Sequence, residues 1–331
     1  MIPCSRPAHG NNVMRIVFMG TPDFALRQLN ELISAGHDIV LVVTAPERPA
    51  GRGRHATQSP VEKAAIEKGL PLITPENVNA EEVIQRIAAA KPEVAVVAAF
   101  GQVLSRQLLA LPPLGFFNVH PSLLPKYRGA APINRALING DLATGVTVQT
   151  VVPKVDAGAI TAQQEVVIDP RWNVTDLTHA LAEAGATLVK WSVAELQAGT
   201  LQLHKQPRIG ISKAPRLTKS DGIIDWTKSA EEIHNLVRGV TPWPGAQTWH
   251  GEEPNTKMQL LLTRTEVVAE TQVEMRPGEV VGVSEAGLDV ACGKGVLRVL
   301  KLKPAGKREM SAGEFLHGHR WRPGDRLVGT P

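Results

Sequence analysis

Short apolar runs alternate with amphipathic helical stretches through the first two hundred residues, and no other feature narrows the fold of this chain so far. Residues 15–19, 39–43, 94–98, 116–119 and 146–151 are largely apolar and rich in β-branched and aromatic side chains. Runs of that kind are strands buried on both faces, and the helices between them cover a mostly parallel sheet. The helix ends are marked as well. Ser59-Pro60-Val61-Glu62 is a capping box with proline at the first helical position, and Gly69 closes that helix. Asn79 with Glu82 predicts the start of the next. Leu177, Leu181, Ala184 and Leu188 fall on one face of a long helix that Gly199 ends. The expectation is an α/β fold with a Rossmann-like N-terminal domain over residues 14–203.

The style of the chain changes at residue 204. Residues 204–215 are polar, hold two prolines and lack periodicity, so they read as a linker. A helix capped by Ser229 and Glu232 follows, and then short strands at 258–268, 279–283, 288–291 and 296–302. That pattern predicts a small antiparallel barrel of the oligonucleotide-binding (OB) type over residues 216–331. Ser311-Ala312-Gly313-Glu314 is a further capping box. Residues 1–13 carry no periodic pattern and read as a disordered tail, with Met14 as an alternative start. The tail is too poor in apolar residues for a secretory signal.

No apolar run approaches the roughly 20 residues that cross a bilayer. The two cysteines, Cys4 and Cys292, are far apart, which argues against a disulfide framework and for a reducing compartment. The net charge of +4 is unevenly placed. Residues 1–203 hold 17 basic and 17 acidic side chains, whereas 204–331 hold 19 and 15. Lys294, Arg298, Lys301, Lys303, Lys307 and Arg308 occur with no acid between them. Charge alone reads that run either as a polyanion footprint or as a solvated strand surface.

The stretch with most chemical content is Asn118-Val119-His120-Pro121-Ser122-Leu123-Leu124-Pro125. Residues two apart on a strand share a face, so an amide donor stands beside a titratable imidazole at a strand end. Such a pair can hold the oxygen of a tetrahedral intermediate and manage a proton, as acyl transfer requires. Asp156 arrives at a comparable turn after the strand ending near residue 151. A carboxylate there would favour an imidazolium or relay a proton through water. By spacing alone it is first a turn residue bonded to its own backbone. Gly20-Thr21-Pro22-Asp23 lacks G-x-G-x-x-G, so no dinucleotide is inferred.

The run from Asn118 through Lys126-Tyr127-Arg128-Gly129-Ala130-Ala131-Pro132 resembles the signature of formyltransferases that use 10-formyltetrahydrofolate, and Val155-Asp156-Ala157-Gly158 resembles their second motif. The resemblance implies that Asn118, His120 and Asp156 form the catalytic set and that Ser122, Leu123, Leu124 and Pro125 line the folate site. It implies no metal.

Gly20 to Ala25, Pro46 to Arg54, Leu217 to Trp226, Thr241 to Gly245 and Pro304 to Ser311 resemble the branch of that family acting on methionyl-tRNA. The resemblance runs over nearly everything from Met14. Glu47 in place of the usual Asp, and Gln102-Val103 after Phe100-Gly101, are small departures outside the catalytic set. In that branch the acceptor is initiator Met-tRNA, and the loop holding Arg48, Arg52 and Arg54 reaches the acceptor end of the tRNA. Arg52 is the foremost candidate for that contact. Lys294, Arg298, Lys301 and Lys303 become a candidate tRNA surface. The implied protein is a monomer of the bacterial cytoplasm with no membrane partner.

Overall fold

The computed structural model describes residues 13–50, 55–250, 258–269 and 275–330. They form two compact units. The first comprises the chain through Ala130 with Ala143–Val167 and Thr178–Ala214; the second comprises Ala131–Leu142, Ile168–Leu177 and the chain from Pro215 on.

The first unit is built on a seven-stranded sheet in the order Ile160–Val167, Ala143–Thr150, Phe116–His120, Val94–Ala98, Arg15–Gly20, Asp38–Val43, Leu72–Ile73. The last five run parallel, and Ala143–Thr150 is antiparallel to both of its neighbours. All five residues of Val94–Ala98 are buried, as a strand covered on both faces must be. Strand order reverses between Arg15–Gly20 and Val94–Ala98, which opens a crevice at the carboxyl ends of the strands.

The helix ends follow their local chemistry, with one exception. Ser59 Oγ accepts from the Glu62 N–H at 3.0 Å and Glu62 reaches back to the Ser59 N–H, a reciprocal cap worth about 1 kcal/mol. Gly199 sits at φ 72°, a left-handed stop for the long helix Val174–Ala198. Asn79 does not cap the next helix. That helix, Glu81–Ala89, starts after Ala80 without a side-chain cap. The Asn79 amide is spent elsewhere, donating to the Val103 carbonyl at 2.9 Å and accepting from Ser105 N at 2.8 Å. It clamps the loop that follows Val94–Ala98.

Residues 204–214 are laced to the first unit. His204 exchanges both backbone hydrogen bonds with Ile160, at 2.7 and 2.8 Å, and Lys213–Ala214 pairs parallel with Arg128–Gly129. One is a single bridge to the end of a sheet strand and the other a two-residue pair, and neither is long enough to impose a strand's alternation. The segment therefore shows no hydrophobic period and reads as a linker in the sequence.

In the second unit, antiparallel strands follow in the order Val280–Ser284, Gly287–Ala291, Val296–Pro304, Met258–Ala269, Ala246–His250, Leu327–Val328. The ends meet. Leu327 N donates to Gly278 O at 2.7 Å and Val280 N to Asp325 O at 2.8 Å, so the sheet curls into a small barrel. Its interior holds Leu260, Leu262, Val290, Leu297, Val299 and Leu302, and the helix Ala230–Val240 adds Ile233 and Val237 to that core. At Ser311 only half of the expected capping box forms. Ser311 Oγ accepts from Glu314 N, but the Glu314 carboxylate turns to Arg308.

Candidate active site

Asn118 and His120 lie on Phe116–His120, whose register sets Asn118 opposite Gln149 and His120 opposite Thr147 on Ala143–Thr150. His120 Nε2 lies 2.9 Å from the Tyr127 carbonyl oxygen. A carbonyl only accepts, so Nε2 carries the hydrogen and the tautomer is decided. Nδ1 is then the nitrogen left for chemistry, and it faces the Asp156 carboxylate at 3.6 Å. Both side chains are nearly enclosed, at 5% and 11% exposure.

Asp156 is held from several sides. Its Oδ2 accepts from the Gly129 N–H at 2.8 Å, and its Oδ1 accepts from Gln149 Nε2 at 3.1 Å and, weakly, from Asn118 Nδ2 at 3.4 Å. Its backbone has φ 50°, and that of Tyr127 has φ 59°. Non-glycine residues take this left-handed conformation only where the surroundings enforce it, and such positions concentrate at working sites. Gly129 (φ 126°) allows no side chain, since a Cβ there would strike the Ala214 carbonyl of the paired strand. Sequence proximity unites Asn118 and His120, and the fold adds Asp156, Gln149, Tyr127 and Gly129. Of these additions, Gln149 carries no motif of its own, and its signal is the strand register.

The loop from Ser122 to Pro125 divides by role. Ser122 is wholly buried and donates to the Lys126 carbonyl at 2.7 Å; Leu124 is buried and its N–H donates to Thr147 Oγ1 at 3.1 Å. These two hold the loop's shape. Leu123 and Pro125 are partly exposed and supply its accessible apolar surface. Gly145 leaves room for Leu123, because a Cβ there would collide with the leucine side chain.

Cys292 is buried and desolvation pushes its thiol up to about 12, so it offers no thiolate at neutral pH. Among the described residues no group of three or more His, Cys, Asp or Glu is arranged to hold a metal ion.

The family model described as formyl transferase matches residues 14–191, and the model of the formyl transferase C-terminal domain matches 216–320. The chain belongs to the formyl transferase family. This formyl transferase is 42% identical over 314 residues to the methionyl-tRNA formyltransferase of Geobacter metallireducens, covering 95% of this chain and 98% of that one. It is 40% identical to the protein of the same name from a Roseiflexus species, covering 95% of each. The N-formyltransferase of Helicobacter canadensis, solved with folinic acid and dTDP-3-aminofucose, shares the fold at TM-score 0.62 and 17% identity, covering 86% of this chain and 98% of that one.

The candidate RNA-facing residues of this formyl transferase fare unequally. Arg48 lies in a short strand, Arg48–Ala50, paired with His55–Thr57, so the backbone there is a hairpin arm and no free loop. Arg52 and Arg54 fall outside the described residues. The basic run on Val296–Pro304 acquires acids from outside the run. Arg298 makes a two-pronged ion pair with Asp289, at 2.7 and 2.9 Å, and a third contact to Glu266 at 3.3 Å. Its guanidinium is therefore engaged by two carboxylates within the barrel. Lys301 approaches Glu309 at 3.8 Å in an exposed pair. Among the described residues, Lys294 and Lys303 enter no ion pair with a carboxylate.

Proposed function

We propose that this chain transfers the formyl group of 10-formyltetrahydrofolate to the α-amine of methionine on initiator Met-tRNA, giving formylmethionyl-tRNA and tetrahydrofolate. The observation that carries the reading is the convergence of Asn118, His120 and Asp156 at one strand end, in a chain about two-fifths identical over nearly its full length to proteins named for this reaction. The amine nitrogen adds to the formyl carbon and the carbonyl electrons move onto oxygen. The Asn118 amide and the proton on His120 Nδ1 stabilise that oxygen, where one well-placed donor is worth about 3 kcal/mol. When the intermediate collapses, the carbon–nitrogen bond to the folate breaks. Asp156 pairs with the protonated ring and helps move the proton from the attacking amine to the departing nitrogen.

Leu123 and Pro125 form the apolar wall of the proposed folate site, with Ser122 and Leu124 holding the loop behind them. Lys294, Lys301 and Lys303, with Arg48, Arg52 and Arg54, are the proposed phosphate-facing set. The protein is proposed to act as a monomer in the bacterial cytoplasm. The test mixes it with 10-formyltetrahydrofolate and either charged initiator tRNA or charged elongator tRNA, and follows formyl transfer. Rapid formylation of the initiator and poor use of the elongator are expected. Formylation of a small amino sugar, with neither tRNA used, would move this chain to another branch.

A further inference from the structure

Gln206, from the segment between residues 204 and 214, is a half-buried side chain that the chemistry above leaves without a role. We propose that Gln206 is a positioning residue for the Asp156 carboxylate, acting in part through Gln149. The inference rests on the role assigned to Asp156 above.

The hydrogen-bond partners orient both amides. Gln206 Oε1 accepts from Arg128 Nη2 at 2.6 Å and from Nε at 3.2 Å. A guanidinium only donates, so this end of the amide is the oxygen. The nitrogen end then meets three oxygens: Gln149 Oε1 at 3.0 Å, the Asp156 carbonyl at 2.9 Å and the Gly158 carbonyl at 2.8 Å. The same logic passes to Gln149, which is 2% exposed. Its oxygen is taken by Gln206, so its nitrogen faces Asp156 Oδ1 at 3.1 Å. Neither amide can turn over without setting oxygen against oxygen. Every donor in the chain points from the Arg128 charge toward the Asp156 carboxylate, and each bond polarises the next.

Two of the three oxygens held by Gln206 belong to the backbone of the turn that carries Asp156, where φ is 50°. A left-handed non-glycine residue keeps that conformation only when its neighbours over-determine it. Removing Gln206 withdraws the amide from two turn carbonyls. It also frees Gln149 to rotate its oxygen onto the carboxylate. Asp156 then loses its set distance to His120 Nδ1.

A mere strap tying residues 204–214 to Arg128 would need the Gln206 oxygen and nothing more. The substitution Gln206→Glu separates the two roles, since a carboxylate keeps the Arg128 pair but offers no donor to Gln149 or the turn. The test compares kcat and KM for both substrates in Q149A, Q206A, Q206A/Q149A, Q206E and D156N, each checked for folding by circular dichroism. Q149A and Q206A are expected to lower kcat about tenfold each, since small misplacements of a reacting group are costly. Their KM values should stay within about twofold of wild type. The double variant should fall by less than the product of the singles, because the two amides share one path. Q206E should be at least as slow as Q206A. Multiplying losses, an unchanged kcat in Q206A, or a wild-type rate in Q206E would overturn the proposal, and if Q206A does not fold, Q206E and Q149A carry the test. A D156N enzyme with full activity would remove the role of Asp156 itself; an inactive D156N beside an unimpaired Q206E would remove only the role of Gln206.

Discussion

The strand end at Asn118–His120 and the basic strand Val296–Pro304 both present several polar side chains from a short stretch of sequence, but their partners are of opposite kinds. Around His120 the partners direct reactivity. Tyr127 takes one ring nitrogen and leaves the other facing Asp156, while Gly129 and Gln149 hold that carboxylate in place. On the basic strand the partners tie up charge unequally. Asp289 and Glu266, from the strands on either side, hold Arg298, and Glu309 approaches Lys301. A cluster of like charges in sequence therefore does not by itself say which of its members stay unpaired in the fold. Strand pairing can bring compensating charge from outside the run, and it brings supporting donors to the Asn118–His120 strand end by the same route.

The largest separation between the two regions is expected at Asn118. Asn118→Ala removes a donor whose value lies in the transition state, so kcat should fall by about 10²-fold or more while KM changes little. Steady-state kinetics on both substrates reads this, and a rise in KM alone would place Asn118 in ground-state binding. On the basic strand the effects are smaller and unequal. Lys303→Ala should raise KM for the tRNA a few-fold and reduce the slope of log affinity against log salt by about 1. Arg298→Ala should leave tRNA use nearly unchanged and cost about 1 kcal/mol of stability, because its bonds are internal. Equal losses of tRNA affinity in both variants would erase the distinction drawn between them.

The smallest expected effect lies in the barrel's own packing. Burial, with the Arg238 charge beside it, lowers the pKa of His234 from its ordinary 6.5. The folded state therefore holds the ring neutral where the unfolded chain would protonate it. The associated stability is fully present above 6.5 and is lost as pH falls through the depressed folded value. His234→Gln should flatten the drop in Tm between about pH 7.5 and 5.5. An unchanged drop would assign the acid sensitivity to other groups, of which His37 and His250, also lowered by burial, are the first to examine.

Much of the first unit was readable because its strands are apolar runs and its helices carry local caps. Asn118 and His120 were readable for the same reason, since a period of two needs no knowledge of the fold. Asp156 was recognisable only by its motif, for nothing in its own spacing separates it from an ordinary turn carboxylate. Gln149 and Gln206 were out of reach. One enters through the antiparallel register opposite Asn118, and the other through a segment held by single backbone bridges that leave no pattern. Asn79 misled because its side chain serves a loop 24 residues away instead of the helix beside it.

The proposed chemistry depends most directly on Asp156. Single-turnover formyl transfer by D156N, at saturating 10-formyltetrahydrofolate and charged initiator tRNA, measures the chemical step apart from binding. The rate is expected to fall by about 10²-fold or more, with folate affinity within about twofold of wild type. A folded D156N that forms product at the wild-type rate would contradict the role proposed for Asp156.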